Sequence, residues 1–353
     1  MAKIILVDNG ITFDGDTLKS KPLGGAETAF ISLAESLAEL GHDVIIYNKC
    51  NTEIQKNKVN WKPLGQMKDQ SCDLYIANRS HSLLELFPKA KQRIFWIHNP
   101  ANYLLKWRYL KPLWKWRPII IFSSQFHVDS LPKWVPTGGR LNIPYGISSD
   151  FINTAKLKKA PKPKAIFTSS PLRSLEWLLT LWEEKIFPKI PNAELHIFSS
   201  PKTYGEHGDQ RLILMNRILN LAKKLKHKGV ILRDPLPKKK LAKEINQSRV
   251  ILYRGDPGET YCLAIGESQA CGVPAVVQNI GCVAERVVDK VTGYVAKDDE
   301  EFCENAIEIL SNDLKWKEMH EAAIRLQRNW TWKNAAIEIE KLGPEEKFAY
   351  EAL

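Results

Sequence analysis

Two doubly wound α/β domains, facing one another across a cleft, are what the sequence predicts. Three observations carry that expectation: a length of 353 residues, short apolar β runs alternating with helical stretches in both halves, and a proline- and lysine-rich segment between the halves. A chain of this length exceeds what one hydrophobic core usually supports, so two units of roughly 150 to 200 residues are expected. Strands alternating with helices argue for parallel sheets covered by helices on their faces.

In order, residues 3–8 (KIILVD) read as a buried strand. A loop with Gly24 and Gly25 leads into an apolar-periodic helix over about 26–40, which Gly41 closes as a C-terminal cap. Further strands are expected at 42–47 (HDVIIY), 72–77 (CDLYIA), 93–98 (RIFWIH) and 118–124 (PIIIFSS). Residues 143–164 carry Pro144, Gly146, Pro161 and Pro163 among lysines and read as an interdomain linker. A second series follows, with strands at 164–170, 193–200, 229–234, 249–255 and 274–279 and a helix over about 173–186. The tail, 300–342, is helical in pattern. The boundaries expected are 1–155 for the first domain, 156–325 for the second and 326–353 for a terminal helix. Ligands of such folds bind beyond the carboxyl ends of the strands.

Composition narrows the class. Hydrophobic residues make up 44% and charged residues 26%, as in an ordinary globular protein. A net charge of +11 points to an anionic partner such as a nucleotide, nucleic acid, a phosphorylated acceptor or an acidic lipid surface; solubility alone is the plainer explanation. The six cysteines form no CxxC pair and read as small buried hydrophobes of a reducing compartment. No histidines stand beside them at zinc-ligand spacing. The N-terminal apolar run is too short for a signal peptide, and no run reaches the length of a membrane span. A cytoplasmic protein is expected, with peripheral contact at the inner face of a membrane left open.

The most informative stretch is 254–285, which leaves a strand, passes Gly258 and Glu259 and enters a helix holding Glu267. It exits through Cys271-Gly272-Val273-Pro274 into another strand. A helix starting just behind a loop glutamate places free backbone N–H groups near 260–263, and such groups suit a phosphate. Glu267, farther along the same helix, would reach a ribose hydroxyl pair.

Here the sequence resembles the family 4 glycosyltransferases, retaining enzymes of the GT-B fold. That fold is two Rossmann-like domains with a C-terminal helix crossing back to the first. Glu259 and Glu267 stand at the family's Glu–seven residues–Glu positions, with Gly272-Val273-Pro274 as the turn and Gly281, Glu285 and Thr292-Gly293-Tyr294 in the elements that follow. Gly24-Gly25-Ala26-Glu27 and the helix exit Gly41-His42-Asp43-Val44 extend the resemblance over the first domain. The resemblance implies that Glu259 holds donor-sugar hydroxyls and Glu267 binds the ribose. The amides from Thr260 through Tyr261, Cys262 and Leu263 would face sugar and diphosphate. Gly24 and Gly25 would approach the diphosphate, where a side chain would block the backbone.

Family members usually carry an Arg and a Lys-Gly after the first strand of the second domain, both on the leaving diphosphate. This chain has Ser169 and Ser170 and then Arg173-Ser174, so one of the two cations is missing. Arg173 would carry the charge alone, since guanidinium binds phosphate bidentately, and Ser170 would add a neutral hydrogen bond. His98 occupies the place of a histidine near donor sugar and acceptor; a structural strand-end histidine is the alternative.

No metal and no other cofactor is expected, because protein cations stabilise the leaving group. The Asp14-Gly15-Asp16 triplet, which imitates a metal-binding DxD, reads as a turn. Residues 103–117 interleave Lys106, Arg108 and Lys115 with Trp107, Trp114 and Trp116 and hold no acid. They suit a membrane surface or an anionic acceptor; tryptophans packed inward are the alternative.

The leading function is retaining hexosyl transfer from a UDP- or GDP-sugar to a glycan, glycolipid or polysaccharide-precursor acceptor. A phosphorylase or epimerase reaction on the same fold, or a degenerate member that binds nucleotide or glycan without turnover, are the alternatives. Nucleic acid, supported only by charge and the 103–117 stretch, is not expected as a partner.

Overall fold

The computed structural model describes residues 1–204 and 211–343. The chain divides into two compact units, one of Met1–Thr17, Gly25–Gly146 and Thr331 onward, the other of Leu18–Gly24 and Ile147–Trp330.

The first unit is built on an eight-stranded sheet. Its strands are β1 (Lys3–Val7), β2 (Asp43–Asn48), β3 (Ile54–Lys56), β4 (Val59–Pro63), β5 (Cys72–Asn78), β6 (Ala90–Trp96), β7 (Ile119–Phe122) and β8 (Gly139–Asn142). Their order is β3-β4-β2-β1-β5-β6-β7-β8. Ile4 to Val7 and Ile119 to Phe122 are buried without alternation, as strands covered on both faces by helices must be. Every pairing is parallel except β3 with β4. That hairpin turns at Asn57 and Lys58, both at positive φ (47° and 64°), the conformation of a two-residue type I′ turn. β3, β4 and β8 are additions to the strands expected from sequence. They are short and partly polar, so the apolar-run criterion passes over them.

The helix Gly25–Glu39 buries Ala29, Phe30, Leu33, Ala34 and Leu37 on one face. Gly41, at φ 94°, ends it in the left-handed conformation that a Cβ would oppose. The last described helix, Trp332–Glu340, packs against it within the same unit. Thr331 and Asn334 close its N-terminus as a capping box. The remainder of the expected terminal helix, beyond 343, lies outside the described residues.

The second unit holds six strands: β9 (Lys164–Phe167), β10 (Glu194–Phe198), β11 (Val230–Arg233), β12 (Val250–Leu252), β13 (Ala275–Gln278) and β14 (Gly293–Ala296). They run in the order β11-β10-β9-β12-β13-β14, all parallel. The helical tail comprises Asp299–Ser311 and Asp313–Gln327 before the final helix.

The chain passes from the first unit to the second at Gly146–Ile147, inside the segment expected to be a linker, and the rest of that segment is a packed part of this unit. Phe151 is fully buried, the Leu157 amide donates to His320 Nε2 (2.9 Å), and Arg328 donates to the Thr154 carbonyl (3.0 Å). The one phenylalanine, rather than the prolines and lysines, decides where the segment lies.

All six cysteines are buried and unpaired. Among the described residues, no helix is long and apolar enough to cross a membrane.

Candidate active site

Apart from the β3–β4 hairpin at the edge of the first sheet, each sheet has one place where the chain reverses its direction of strand addition. In the first unit this is between β1 and β5, in the second between β9 and β12. Open α/β sheets bind ligands at the carboxyl ends of such strands, and both places here carry clusters of charged and polar side chains.

In the second unit, β9 is followed by a tight turn. The Ser170 carbonyl accepts from the Arg173 amide (2.9 Å), and its hydroxyl accepts from the Leu172 amide (3.3 Å). Ser174 sits at φ 59° and starts the helix Leu175–Leu181. The expected start near 173 is thus taken up by the turn that aims Arg173. From β12, Tyr253 and Asp256 converge on the same place. Arg173 Nη1 lies 2.5 Å from Asp256 Oδ1 and 3.3 Å from Glu259 Oε2. The Tyr253 hydroxyl donates to that Glu259 oxygen (2.5 Å). Burial disfavours the guanidinium charge, but Glu259, Tyr253 and Asp256 outweigh it and raise the Arg173 pKa above its ordinary value. Burial, then the Glu259 charge, pushes Tyr253 well above the ordinary tyrosine value, so its O–H stays a donor. Gly281 backs this loop at φ 66°; a Cβ there would lie 2.3 Å from the Asp256 carbonyl oxygen.

Behind Glu259 the chain enters the helix Leu263–Ala270 through Cys262, whose φ of 64° is left-handed and costs a β-carbon residue roughly 1–3 kcal/mol. Thr260, Tyr261 and Cys262 are buried, and the Arg286 guanidinium lies 4.6 Å from the Tyr261 ring centroid. Burial raises the Cys262 thiol well above its ordinary pKa. The amides of Leu263 and Ala264 open the helix, where such groups have no intrahelical acceptor and face an anion favourably. Glu267 is in the second turn, 4% exposed, and pairs with Lys238 Nζ at 2.6 Å. Burial raises its pKa and Lys238 opposes the rise.

In the first unit a hydrogen-bonded chain runs along the carboxyl ends of β1, β5 and β6. Asp8, wholly buried, accepts from Asn78 Nδ2 (2.5 Å) and pairs with Arg79 Nε (2.8 Å). Arg79 also reaches Glu27 Oε1 (2.9 Å), which gives the glutamate of Gly24-Gly25-Ala26-Glu27 a structural partner. Asn78 Oδ1 accepts from His98 Nε2 (2.6 Å). The remaining nitrogen, Nδ1, accepts from the Tyr145 hydroxyl. Burial, then the Arg79 charge, holds His98 well below the ordinary histidine value. The imidazole is neutral, of one tautomer, and engaged at both nitrogens.

The sequence-predicted residues therefore fall into three groups. Ser170, Arg173, Glu259 and the Thr260–Leu263 segment come together at the second unit's reversal point, with Glu267 on the adjoining helix. His98 stands at the first unit's reversal point; Gly25 begins the helix that carries Glu27, and Gly24 directly precedes it. The 103–117 stretch forms a third surface, where the helix Trp107–Trp116 buries only Leu113. Trp107 and Trp114 are 71% and 64% exposed beside exposed Lys106, Arg108 and Lys115. Trp116 instead turns inward, with the Arg93 guanidinium 4.5 Å above its ring. Asp14-Gly15-Asp16 is a turn in which Asp14 Oδ1 accepts from the Asp16 amide (3.0 Å).

Sequence reasoning missed Tyr253, Asp256, Lys238, Asp8, Asn78, Arg79 and Tyr145. Asp256 and Tyr253 stood beside the recognised glutamate, and Asp8 at a strand end. Lys238 carried no signal in a run of three lysines.

Two doubly wound parallel sheets with polar clusters at their reversal points make this a protein of the GT-B glycosyltransferase fold. Residues 163–312 match the model of the family described as glycosyl transferases group 1. Solved structures agree in fold across nearly the whole chain. Sucrose-phosphate synthase from Thermosynechococcus elongatus is 16% identical, covers 96% of this chain and 98% of its own, and superposes with a TM-score of 0.71. WaaG, a glycosyltransferase involved in lipopolysaccharide biosynthesis, is 12% identical over 97% of this chain and 100% of its own, at a TM-score of 0.67. HepE from Anabaena, solved in complex with UDP and glucose, is 12% identical over 97% of this chain and 99% of its own, at 0.68. No curated protein matches the chain in sequence.

Proposed function

We propose that the protein is a retaining glycosyltransferase of the family 4 type. It moves a hexose from a UDP- or GDP-sugar to a glycan, glycolipid or polysaccharide-precursor acceptor without a metal. The observation that carries this reading is the convergence of Arg173, Asp256 and Glu259 in front of the Leu263–Ala270 helix, inside the matched family domain. In the reaction, Glu259 holds hydroxyls of the donor sugar, and Ser170, Arg173 and the helix-terminal amides receive the diphosphate. The anomeric C–O bond breaks with its electron pair leaving on the nucleoside diphosphate. The acceptor hydroxyl bonds the anomeric carbon from that same face, and its proton passes to a departing phosphate oxygen. Positive charge and oriented amides stabilise the departing anion where it forms. His98, neutral and saturated with hydrogen bonds, orients rather than carries protons. UDP is favoured as the nucleotide because HepE holds UDP and glucose. The exposed tryptophans and cations of the Trp107–Trp116 helix suit an anionic or membrane-borne acceptor.

A non-catalytic nucleotide-binding role is the second reading, and one observation favours it: Arg173 is held by two carboxylates. Thermal stability with UDP, GDP, ADP and their sugars, in the wild type and Glu267→Ala, tests the binding step. A nucleotide at about 100 times its dissociation constant adds about 2.7 kcal/mol, and the variant loses that gain. Release of nucleoside diphosphate from the sugar nucleotide then separates turnover from binding alone. If no nucleotide stabilises the wild type, both readings fall.

A further inference from the structure

Three lysines, Lys238, Lys239 and Lys240, open the helix Lys238–Asn246. Cations at a helix N-terminus oppose its dipole, so the helix itself does not favour them there. Lys239 and Lys240 are exposed. Lys238 turns inward, its side chain 20% exposed, onto the buried Glu267, with its ammonium 5.6 Å from the centroid of the buried Phe151 ring.

The pair is half-used. Lys238 Nζ occupies Glu267 Oε1 at 2.6 Å. Neither Glu267 Oε2 nor the remaining ammonium protons bond any other described residue. An ammonium offers three donors and a carboxylate oxygen accepts, so one acceptor and spare donors remain side by side with no net charge. A diphosphate would prefer an unneutralised cation. A vicinal diol, in which each hydroxyl both donates and accepts, matches what is left.

We propose that Lys238 binds the nucleotide's ribose together with Glu267, donating to a hydroxyl oxygen while Glu267 Oε2 accepts a hydroxyl proton. The inference rests on the nucleotide-binding reading above and adds a second group to the ribose contact. Lys238 also opposes the rise that burial imposes on the Glu267 pKa and so favours the carboxylate form as an acceptor.

Calorimetric titration with UDP and GDP, and with their 2′-deoxy and 3′-deoxy forms, tests it on the wild type, Lys238→Ala, Lys238→Arg and the exposed-site control Lys239→Ala. The wild type and Lys239→Ala should prefer the ribonucleotide over at least one deoxy form by about tenfold, the scale of a hydrogen bond to a charged group. In Lys238→Ala that preference should shrink to within about twofold, and Lys238→Arg should retain part of it. A merely structural lysine would lower the melting temperature and weaken all the nucleotides alike, leaving the preference intact; that result overturns the proposal while the nucleotide-binding reading stands. Should Lys238→Ala fail to fold, a preference in Lys238→Arg equal to that of the wild type overturns it, because a planar guanidinium cannot reproduce the ammonium's geometry. Absence of binding to the wild type by either nucleotide overturns both.

Discussion

The two reversal points of the two sheets occupy equivalent places in their units, and each sets an arginine between two carboxylates, but they differ in how deeply those carboxylates are buried. At the first, Asp8, Asn78, His98 and Tyr145 form a continuous series in which each side chain supplies what its neighbour lacks. Its carboxylate is wholly buried. At the second, Arg173 faces both Asp256 and Glu259, all three partly open to solvent, with side chains 30%, 26% and 17% exposed. The first arrangement is a finished structure. At the first, Asp8 and Glu27 hold Arg79 from buried positions; at the second, the more open carboxylates leave a cation that an incoming anion would share. Completeness in a buried network favours rigidity, while competition for one cation leaves electrostatic work for a ligand.

Removing one member of each cluster should expose that difference most strongly. Asp8→Ala leaves a buried asparagine donor without its acceptor and Arg79 with only Glu27. Breaking a buried charged pair costs about 3–5 kcal/mol, and urea unfolding should show a loss of that size. Asp256→Asn should cost less than about 1 kcal/mol, because a half-open pair is screened by water. Equal losses at the two sites would abolish the distinction drawn between them.

Acid should act on the first unit's network next. His127, fully buried, donates from Nε2 to the Asn99 carbonyl (2.9 Å) and accepts at Nδ1 from the Ser123 amide (3.2 Å). A proton on Nδ1 would face that N–H. Burial accordingly depresses its pKa to about 4, and burial holds His98 well below the ordinary value too. The folded protein therefore keeps both neutral while an unfolded chain protonates them below about pH 6.5. Stability is present above that pH and falls as the solution is acidified toward pH 4, by about 1.4 kcal/mol per pH unit for His127, with His98 acting in the same direction. His127→Gln should flatten the pH dependence by one such increment. An unchanged slope would mean that the ring already carries its proton in the folded state.

How much of this was legible in the sequence follows from the range of the interactions. The parallel sheets were legible because β1 and β7 bury every apolar residue in a run, and the helix exit at Gly41 because one glycine marks it. Glu259 and Glu267 were legible because their spacing and the following Gly-x-Pro turn are local. The β3–β4 hairpin was not, since its turn is Asn57-Lys58 rather than the usual Asn-Gly, and backbone pairing in the edge sets it. The partners of the site were hidden for a different reason. Asp8 meets Asn78 across 70 residues, and Lys238 meets Glu267 across 29; neither pair has a spacing that a helix or turn would announce. Phe151 shows the converse: the polar, proline-bearing stretch read as a linker does hold the passage between units, but one buried ring ties most of it to the second unit.

The smallest expected effect bears most directly on the second cluster. Asp256 accepts from Arg173 and from the Gly258 amide (2.8 Å) through the same oxygen. An asparagine keeps that oxygen and the loop's turn while removing the negative charge. If Asp256 competes with a diphosphate for Arg173, then Asp256→Asn should bind nucleoside diphosphate more tightly, by roughly threefold to tenfold, a change within the range of a partly screened charge interaction. The gain should shrink as salt is raised, because the interaction removed is electrostatic and partly exposed. Inorganic pyrophosphate should show the same gain, since it carries the diphosphate without base or ribose. Weaker binding would reverse the reading: Asp256 would then hold Arg173 in the orientation that receives the anion, and the second reversal point would be as much a finished structure as the first.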